Sequence, residues 1–410
     1  MNDYPCYIAG QAVNREDKLS VYNPYKGLDS DMTSPGRAGE KKDKLLFTPG
    51  PLTTSSTVKE AMLRDLGSRD TVFIAAIETI RNSLLGLAGL SREKGYECAL
   101  MQGSGTFGVE SVIGSAVPPG GKLLVVINGA YGERMLKIAG VLRIECEALR
   151  CDENTKTDPD AVASRLDADG SITTVAIVHC ETTTGIINPV EETGALVRER
   201  GKTYIVDAMS SFGAVALDLE KAKIDFLVSS ANKCIEGVPG FSFAICRGEE
   251  LARCEGQARS LSLDLFAQWK GLESNGQFRF TPPTHTILAF EKALEELAEE
   301  GGVAGRAARY SGNYDTLVAG MSALGFKEYL SREDQGYIIT SFRYPTHPAF
   351  DFTEFYTRLS EKDLVIYPGK VSDADCFRIG NIGRIEQDDV KNLLTAIASV
   401  LEEMGIESGA

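Results

Sequence analysis

From Leu45 onward the chain alternates between two textures. Short apolar, β-branched runs appear at ECALM, KLLVVIN, TTVAIVHC, TYIVDA, DFLVSS and FSFAICR. Segments of helical length and spacing separate most of them, such as GVESVIGSAV, GERMLKIAGVL, PDAVASRLDA and VEETGALVRER. A near-continuous apolar run is what a strand buried on both faces requires, and the polar-faced helices are what would cover it. The alternation therefore predicts an α/β chain whose mostly parallel central sheet has helices on both faces. After about residue 285 the texture changes. ILAFEKALEELAEEGG and VAGRAARYSGNYDTLVAGMSALG read as long amphipathic helices, GYIITSFRY, LVIYPG and CFRIGN as strands, and QDDVKNLLTAIASVLEEMG as a closing helix. This predicts a large domain over residues 44–285 and a smaller C-terminal α+β domain over 286–410.

Residues 1–43 break the pattern. KLSVYNPYKG reads as a short strand and turn, and SDMTSPGRAGEKKDK is polar and rich in turn residues. The expectation is a flexible N-terminal extension. Its fragment YIAGQAVNREDKLSVYNPYKG resembles the opening of aldehyde dehydrogenases, but it carries none of their chemistry and implies no such activity.

Composition narrows the class. With 43% hydrophobic and 25% charged residues, the chain has a globular profile. A formal charge of −15 argues against a nucleic-acid partner, since no net basic surface would compensate phosphates. The nine cysteines are odd in number and form no C-x-x-C pair, as expected of reduced thiols in a cytoplasmic protein. No apolar run reaches the ~18 residues that suggest a membrane span, and no His, Cys and carboxylate cluster shows metal-ligand spacing.

The chemistry begins at MQGSGTFGVES, where Gly103, Gly105 and Gly108 fit G-x-G-x-x-G between a strand and a helix. Such a turn offers backbone N–H groups and a helix N-terminus to an anion, or is merely a tight turn. A dinucleotide loop also needs an acidic residue after the next strand. Here KLLVVIN runs into Gly-Ala-Tyr131 without one, and Ser104 and Thr106 add hydroxyls better suited to a terminal phosphate monoester. Asp207 ends the strand YIVD, where a carboxylate either caps the next turn or pairs with a buried cationic nitrogen. Lys233 follows the strand DFLVSS among small residues, either as a surface charge or as a functional amine. A phosphate cradle, a strand-end carboxylate and a strand-end lysine, in that order, form a site for pyridoxal 5′-phosphate (PLP), whose aldehyde needs an amine and whose ring nitrogen needs an anion.

LLFTPGPLTTSSTVKEAM, QGSGTFGVES, VINGAYGERM, HCETTTGIINPV, IVDAMSSFG, SSANKCIEGVPG and FRIGNIG closely resemble the class V aminotransferases of PLP fold type I, over about residues 45–405. The resemblance implies that Lys233 anchors the cofactor and shuttles the proton, that Asp207 partners the ring nitrogen, and that Ser104, Gly105 and Thr106 hold the phosphate. It further implies that Tyr131 stacks on the ring, that Met209 packs beneath it and that Thr182 lies near its phenolic oxygen. Thr281 corresponds to a residue reaching a phosphate across a homodimer interface. Arg378 matches an arginine that grips a substrate carboxylate, and Arg69 in DLGSRD is a candidate contact for a phosphonate.

SANKCIEGVPG and DLGSRD favour the members that exchange the amino group of 2-aminoethylphosphonate with pyruvate, releasing phosphonoacetaldehyde and L-alanine. An alanine- or serine-linked glyoxylate or pyruvate transaminase is the alternative. A binding module that has lost catalysis is a rival from another class, against which the intact Lys233, Asp207 and Arg378 argue. His179, in an apolar strand, reads as a satisfied core histidine, and Cys234 as packing.

Overall fold

The computed structural model describes residues 6–8, 11–13, 43–369, 371 and 374–406. The chain divides into two units, residues 1–43 and 44–410. In the first, Cys6–Ile8 and Gln11–Val13 form an antiparallel pair. The strand and turn expected at KLSVYNPYKG lie outside the described residues.

The second unit is organised by a seven-stranded sheet. Its strands are β1 (Tyr96–Gln102), β2 (Lys122–Ile127), β3 (Glu145–Arg150), β4 (Ile172–Val178), β5 (Thr203–Asp207), β6 (Phe226–Ser230) and β7 (Phe241–Arg247). They lie in the order β1-β7-β6-β5-β4-β2-β3. Only β7 opposes its neighbours; the remaining pairings are parallel. The apolar runs are continuous because both faces are covered. Leu124 and Val126 enter one hydrophobic layer, while Leu123, Val125 and Ile127 enter the other. Burial of each such side chain contributes roughly 1.5–3 kcal/mol before entropy is counted. β3 was not marked by an apolar run: it is an edge strand, ECEALR, with no fully buried position.

Helices α1 (Thr71–Leu87), α2 (Gly105–Ala116) and α3 (Ala130–Val141) cover the sheet, α1 on the first layer and the other two on the second. α1 was not anticipated, although Asp70 caps it through the N–H of Val72. The boundary drawn after residue 285 falls at the start of a helix, Thr284–Glu299, whose Ile287, Phe290 and Leu297 belong to the core of the large sheet. The smaller core gathers around the antiparallel strands β8 (Ile339–Arg343), β9 (Tyr367–Pro368) and β10 (Cys376–Gly380), in the order β8-β10-β9. It also takes Phe47 from the start of this unit and Leu393, Ile397 and Val400 from the closing helix.

Among the described residues, no helix is long and apolar enough to cross a membrane.

Candidate active site

Parallel strands deliver their carboxyl ends to one side of the sheet, and four of those ends meet here. β1 leads into α2 at Gly105, β4 leads to Cys180 and Thr182, β5 ends on Asp207, and β6 leads to Lys233. Ser104, Gly105, Thr106, Tyr131, Thr182, Asp207, Met209 and Lys233 all line one cavity of about 180 Å³. The sequence motifs are thus brought together from over a hundred residues of chain.

The turn before α2 is built to receive an anion. Ser104 is the helix N-cap, yet its side chain makes no capping bond and the first turn holds no acidic residue. The leading amides of a helix have no acceptor within it, and the dipole favours negative charge there. Gly105 is required by close approach: a Cβ at this position would collide with the thioether of Met209. The same contact places Met209 against the turn.

Asp207 is buried, and the one hydrogen bond to its carboxylate among the described residues comes from the Met209 N–H at 2.9 Å. Burial therefore raises the carboxyl to about 6. A carboxylate so thinly served in a buried site suits a cationic partner. Lys233 keeps some accessible surface because it borders the cavity, but protein surrounds its amine. That desolvation lowers the ammonium to about 8. Nζ donates to the Pro49 carbonyl at 2.6 Å. The next residue, Gly50, has φ +114°, and a Cβ there would lie 2.9 Å from Nζ. The TPGP segment is therefore folded directly onto the amine, a role that its place in the sequence did not suggest.

Arg378 is fully buried on β10. Its Nε donates to Pro368 O at 3.0 Å and its Nη1 to Thr182 O at 2.7 Å. Nη2 has no hydrogen-bond partner. An unsatisfied buried guanidinium nitrogen is costly, so this atom marks where an acceptor is wanted. Thr281 and Arg69 stand apart from these residues. They share a separate surface recess with Ser68, Gln277, Arg279 and Phe280, and do not line the cavity of their own chain.

Three groups near the site were given no site role from the sequence. Glu181, buried between Cys180 and Thr182, is raised to about 7 by burial. It accepts hydrogen bonds from the N–H groups of Thr183 (3.0 Å) and Tyr131 (3.3 Å), which ties two cavity loops together. Asn232 and Arg134 also line the cavity. All three lie inside the quoted motifs, but nothing in spacing alone distinguished them from capping or surface groups. His179 sits in the core with Nδ1 2.9 Å from the Ser211 hydroxyl, and burial lowers its ring to about 4, so it is neutral. Cys234 is buried and its thiol is pushed up to about 12, which keeps it protonated. Among the described residues no group of three or more His, Cys, Asp or Glu is placed to hold a metal ion.

An amine lowered by burial, a buried carboxylate and a turn suited to an anion are gathered around one cavity. The profile of the family "Aminotransferase class-V" matches residues 52–371. This chain belongs to that family and is an aminotransferase. It is 55% identical over 362 residues to the 2-aminoethylphosphonate–pyruvate transaminase of Salmonella schwarzengrund (strain CVM19633), a match spanning 88% of this chain and 98% of the relative. The Salmonella typhimurium (strain LT2) protein of the same name is 54% identical over the same shares. Among solved structures, the pyridoxamine–pyruvate aminotransferase from Mesorhizobium loti superimposes with TM-score 0.81 at 25% identity, covering 90% of this chain and 95% of that one. The alanine–glyoxylate aminotransferase from Nostoc sp. gives TM-score 0.81 at 25% identity, covering 92% and 99%. The family and fold type expected from the sequence are both borne out.

Proposed function

We propose that the cavity holds pyridoxal 5′-phosphate and that the protein moves the amino group of 2-aminoethylphosphonate to pyruvate, giving phosphonoacetaldehyde and L-alanine. The observation that carries this reading is the Lys233 amine, lowered to about 8 and sharing one cavity with Asp207 and the Ser104–Gly105–Thr106 turn. The identity to transaminases of that name supports the choice of substrates.

When bound, PLP supplies an aldehyde that condenses with amines and a ring that withdraws electrons. The residues of the chain do the rest. Lys233 anchors the aldehyde carbon. Lys233 would also be the base and then the acid for the proton on the substrate carbon that bears the amine. Anchoring and proton abstraction both start from a neutral amine, and an ordinary lysine would supply far too little of it at neutral pH. Asp207 keeps the ring nitrogen protonated, which restores the cationic partner that its burial lacks. Tyr131 and Met209 would pack against the cofactor ring, and the Thr182 hydroxyl would serve its phenolic oxygen. Arg378, with Nη2 free, takes the pyruvate carboxylate. The aminophosphonate has no carboxylate, so its head group shares Arg378 or uses other donors.

In a homodimer, the recess holding Thr281 and Arg69 would face the partner's cavity, where Thr281 meets the cofactor phosphate and Arg69 the phosphonate. We place the reaction in the cytoplasm, which agrees with mostly buried cysteines that form no disulfide among the described residues.

The test is direct. Protein loaded with PLP should show a visible absorbance band that 2-aminoethylphosphonate abolishes, with release of phosphonoacetaldehyde, and serine does not; pyruvate should then restore the band and yield alanine in an amount equal to the aldehyde released. Loss of the band with alanine but not with the aminophosphonate would make this a glyoxylate-type enzyme instead. Absence of any PLP-dependent band would remove the cofactor from the reading.

A further inference from the structure

Arg134 belongs to no role assigned so far. It projects from the early part of α3 into the cofactor cavity. Its guanidinium carbon lies 4.7 Å from the centroid of the Tyr131 ring, a cation–π distance. Nη1 donates to the Thr106 hydroxyl at 3.4 Å, a long bond that leaves most of its donors uncommitted. No carboxylate among the described residues pairs with it; the adjacent Glu133 is taken by Arg150 at 2.7 Å. An arginine held against an aromatic ring, partly buried, near enough to Asp207 to feel its charge but ion-paired with no carboxylate among the described residues, is a group prepared for an anion.

Charge accounting identifies the anion. Among the residues lining the cavity, only Asp207, Lys233 and Arg134 carry charge. Under the reading above, Asp207 is matched by the ring nitrogen and Lys233 is spent on the aldehyde. A phosphate monoester brings about −1.5 to −2 at neutral pH. The N-terminus of α2 offers the equivalent of only roughly half a positive charge. The remaining charge needs a cation beside the Ser104–Gly105–Thr106 turn, and Arg134 is bonded to the third residue of that turn.

We propose that Arg134 is the counter-cation of the cofactor's phosphate, held in place by Tyr131 and Thr106, and that it makes the site selective for the phosphorylated form of the vitamin. This rests on the PLP reading. It also gives Tyr131 a second task, since the ring that stacks on the cofactor positions the cation as well.

The test compares PLP with pyridoxal, which has the same aldehyde and ring but no phosphate. Dissociation constants for both are measured by absorbance titration of the cofactor-free wild type, Arg134→Gln and Arg134→Lys, with circular dichroism to show that each variant is folded. Wild type should prefer PLP strongly. Arg134→Gln should lower that preference by about tenfold or more, the loss typical of a charge-assisted hydrogen bond, with pyridoxal affinity nearly unchanged. Arg134→Lys should recover part of the preference, because it keeps the charge but not the fork.

An equal loss for both ligands would overturn the proposal, since it would mean that Arg134 only supports Tyr131 or Asp207. An unchanged preference accompanied by a raised KM for 2-aminoethylphosphonate would also overturn it, by assigning Arg134 to the substrate's phosphonate. Wild-type protein that binds neither ligand would instead defeat the cofactor reading itself, before any variant is compared.

Discussion

Two charged regions meet at the Lys233 loop, and they are built on opposite principles. On the cavity side, among the described residues, the Asp207 carboxylate accepts one hydrogen bond, the Arg134 side chain makes one long one, and Arg378 leaves Nη2 without a partner. On the far side lies a buried network of Glu236, Glu300, Arg306, Arg309 and Tyr310. Glu236 Oε1 receives Arg309 Nη2 at 2.7 Å and the Tyr310 hydroxyl at 2.6 Å. Glu300 receives Arg306 Nε at 2.6 Å and Arg309 Nε at 2.7 Å. Arg306 also donates to the Cys234 carbonyl, and Arg309 to Gly383 O at 2.7 Å. The network thus clamps the residues just after Lys233 to the segment that follows Arg378. Buried charges that satisfy one another hold backbone in place; buried charges left wanting are addressed to a ligand. The lysine stands between a rigid support and a receptive cavity.

That contrast can be broken by mutation, and the largest effect belongs to the lysine. Lys233→Ala should lower kcat by at least about a thousandfold and abolish the adduct that borohydride otherwise fixes on this residue. Steady-state rates and peptide mass spectrometry measure the two. Near-normal turnover would remove Lys233 from the chemistry.

The next largest effect is structural. Glu236→Ala removes one of the two carboxylates that Arg306 and Arg309 share and should cost about 3–5 kcal/mol in urea unfolding. A loss under 1 kcal/mol would mean that the network does not clamp the loop.

On the cavity side the same kind of deletion should have the opposite sign. Asp207→Asn removes a carboxylate whose ionisation the fold penalises, and should stabilise the cofactor-free protein by about 2–3 kcal/mol at pH 8. The folded-state carboxyl titrates at about 6, above its ordinary value of 3.8. Its penalty is therefore absent below pH 4, grows as pH rises between the two values and is complete above 6. The stability difference between variant and wild type must follow that window. At saturating PLP the advantage should reverse, with turnover reduced about a hundredfold or more.

The smallest effect is one of rate. Because the lysine must be neutral to attack the aldehyde, the visible band should form about tenfold faster per pH unit up to a midpoint near 8, then level off. A midpoint near 10.5 would show an amine that the cavity does not perturb.

Much of this site was legible along the chain because its residues sit at strand ends, where an apolar run stops abruptly. Asp207 after YIV, Lys233 after FLVSSAN and the glycine turn after ECALMQ are all of this kind. What escaped were groups whose meaning depends on a neighbour distant in sequence. Glu181 and Arg134 look like ordinary surface charges until Tyr131 and Thr106 are placed beside them. Pro49 and Gly50 look like a loop until they are found against an amine 184 positions away. β3 escaped for another reason: an edge strand half open to solvent need not be apolar.

Most of the strands and helices, the fold type and the three central motifs were determined by the chain itself, since they depend on local periodicity and on residues at element ends. Which side chains share a cavity, which charges are answered and which are left open were decided only when the strands came together. A pKa, an ion pair or an orphaned nitrogen is a property of surroundings, and surroundings are assembled from distant parts of the chain.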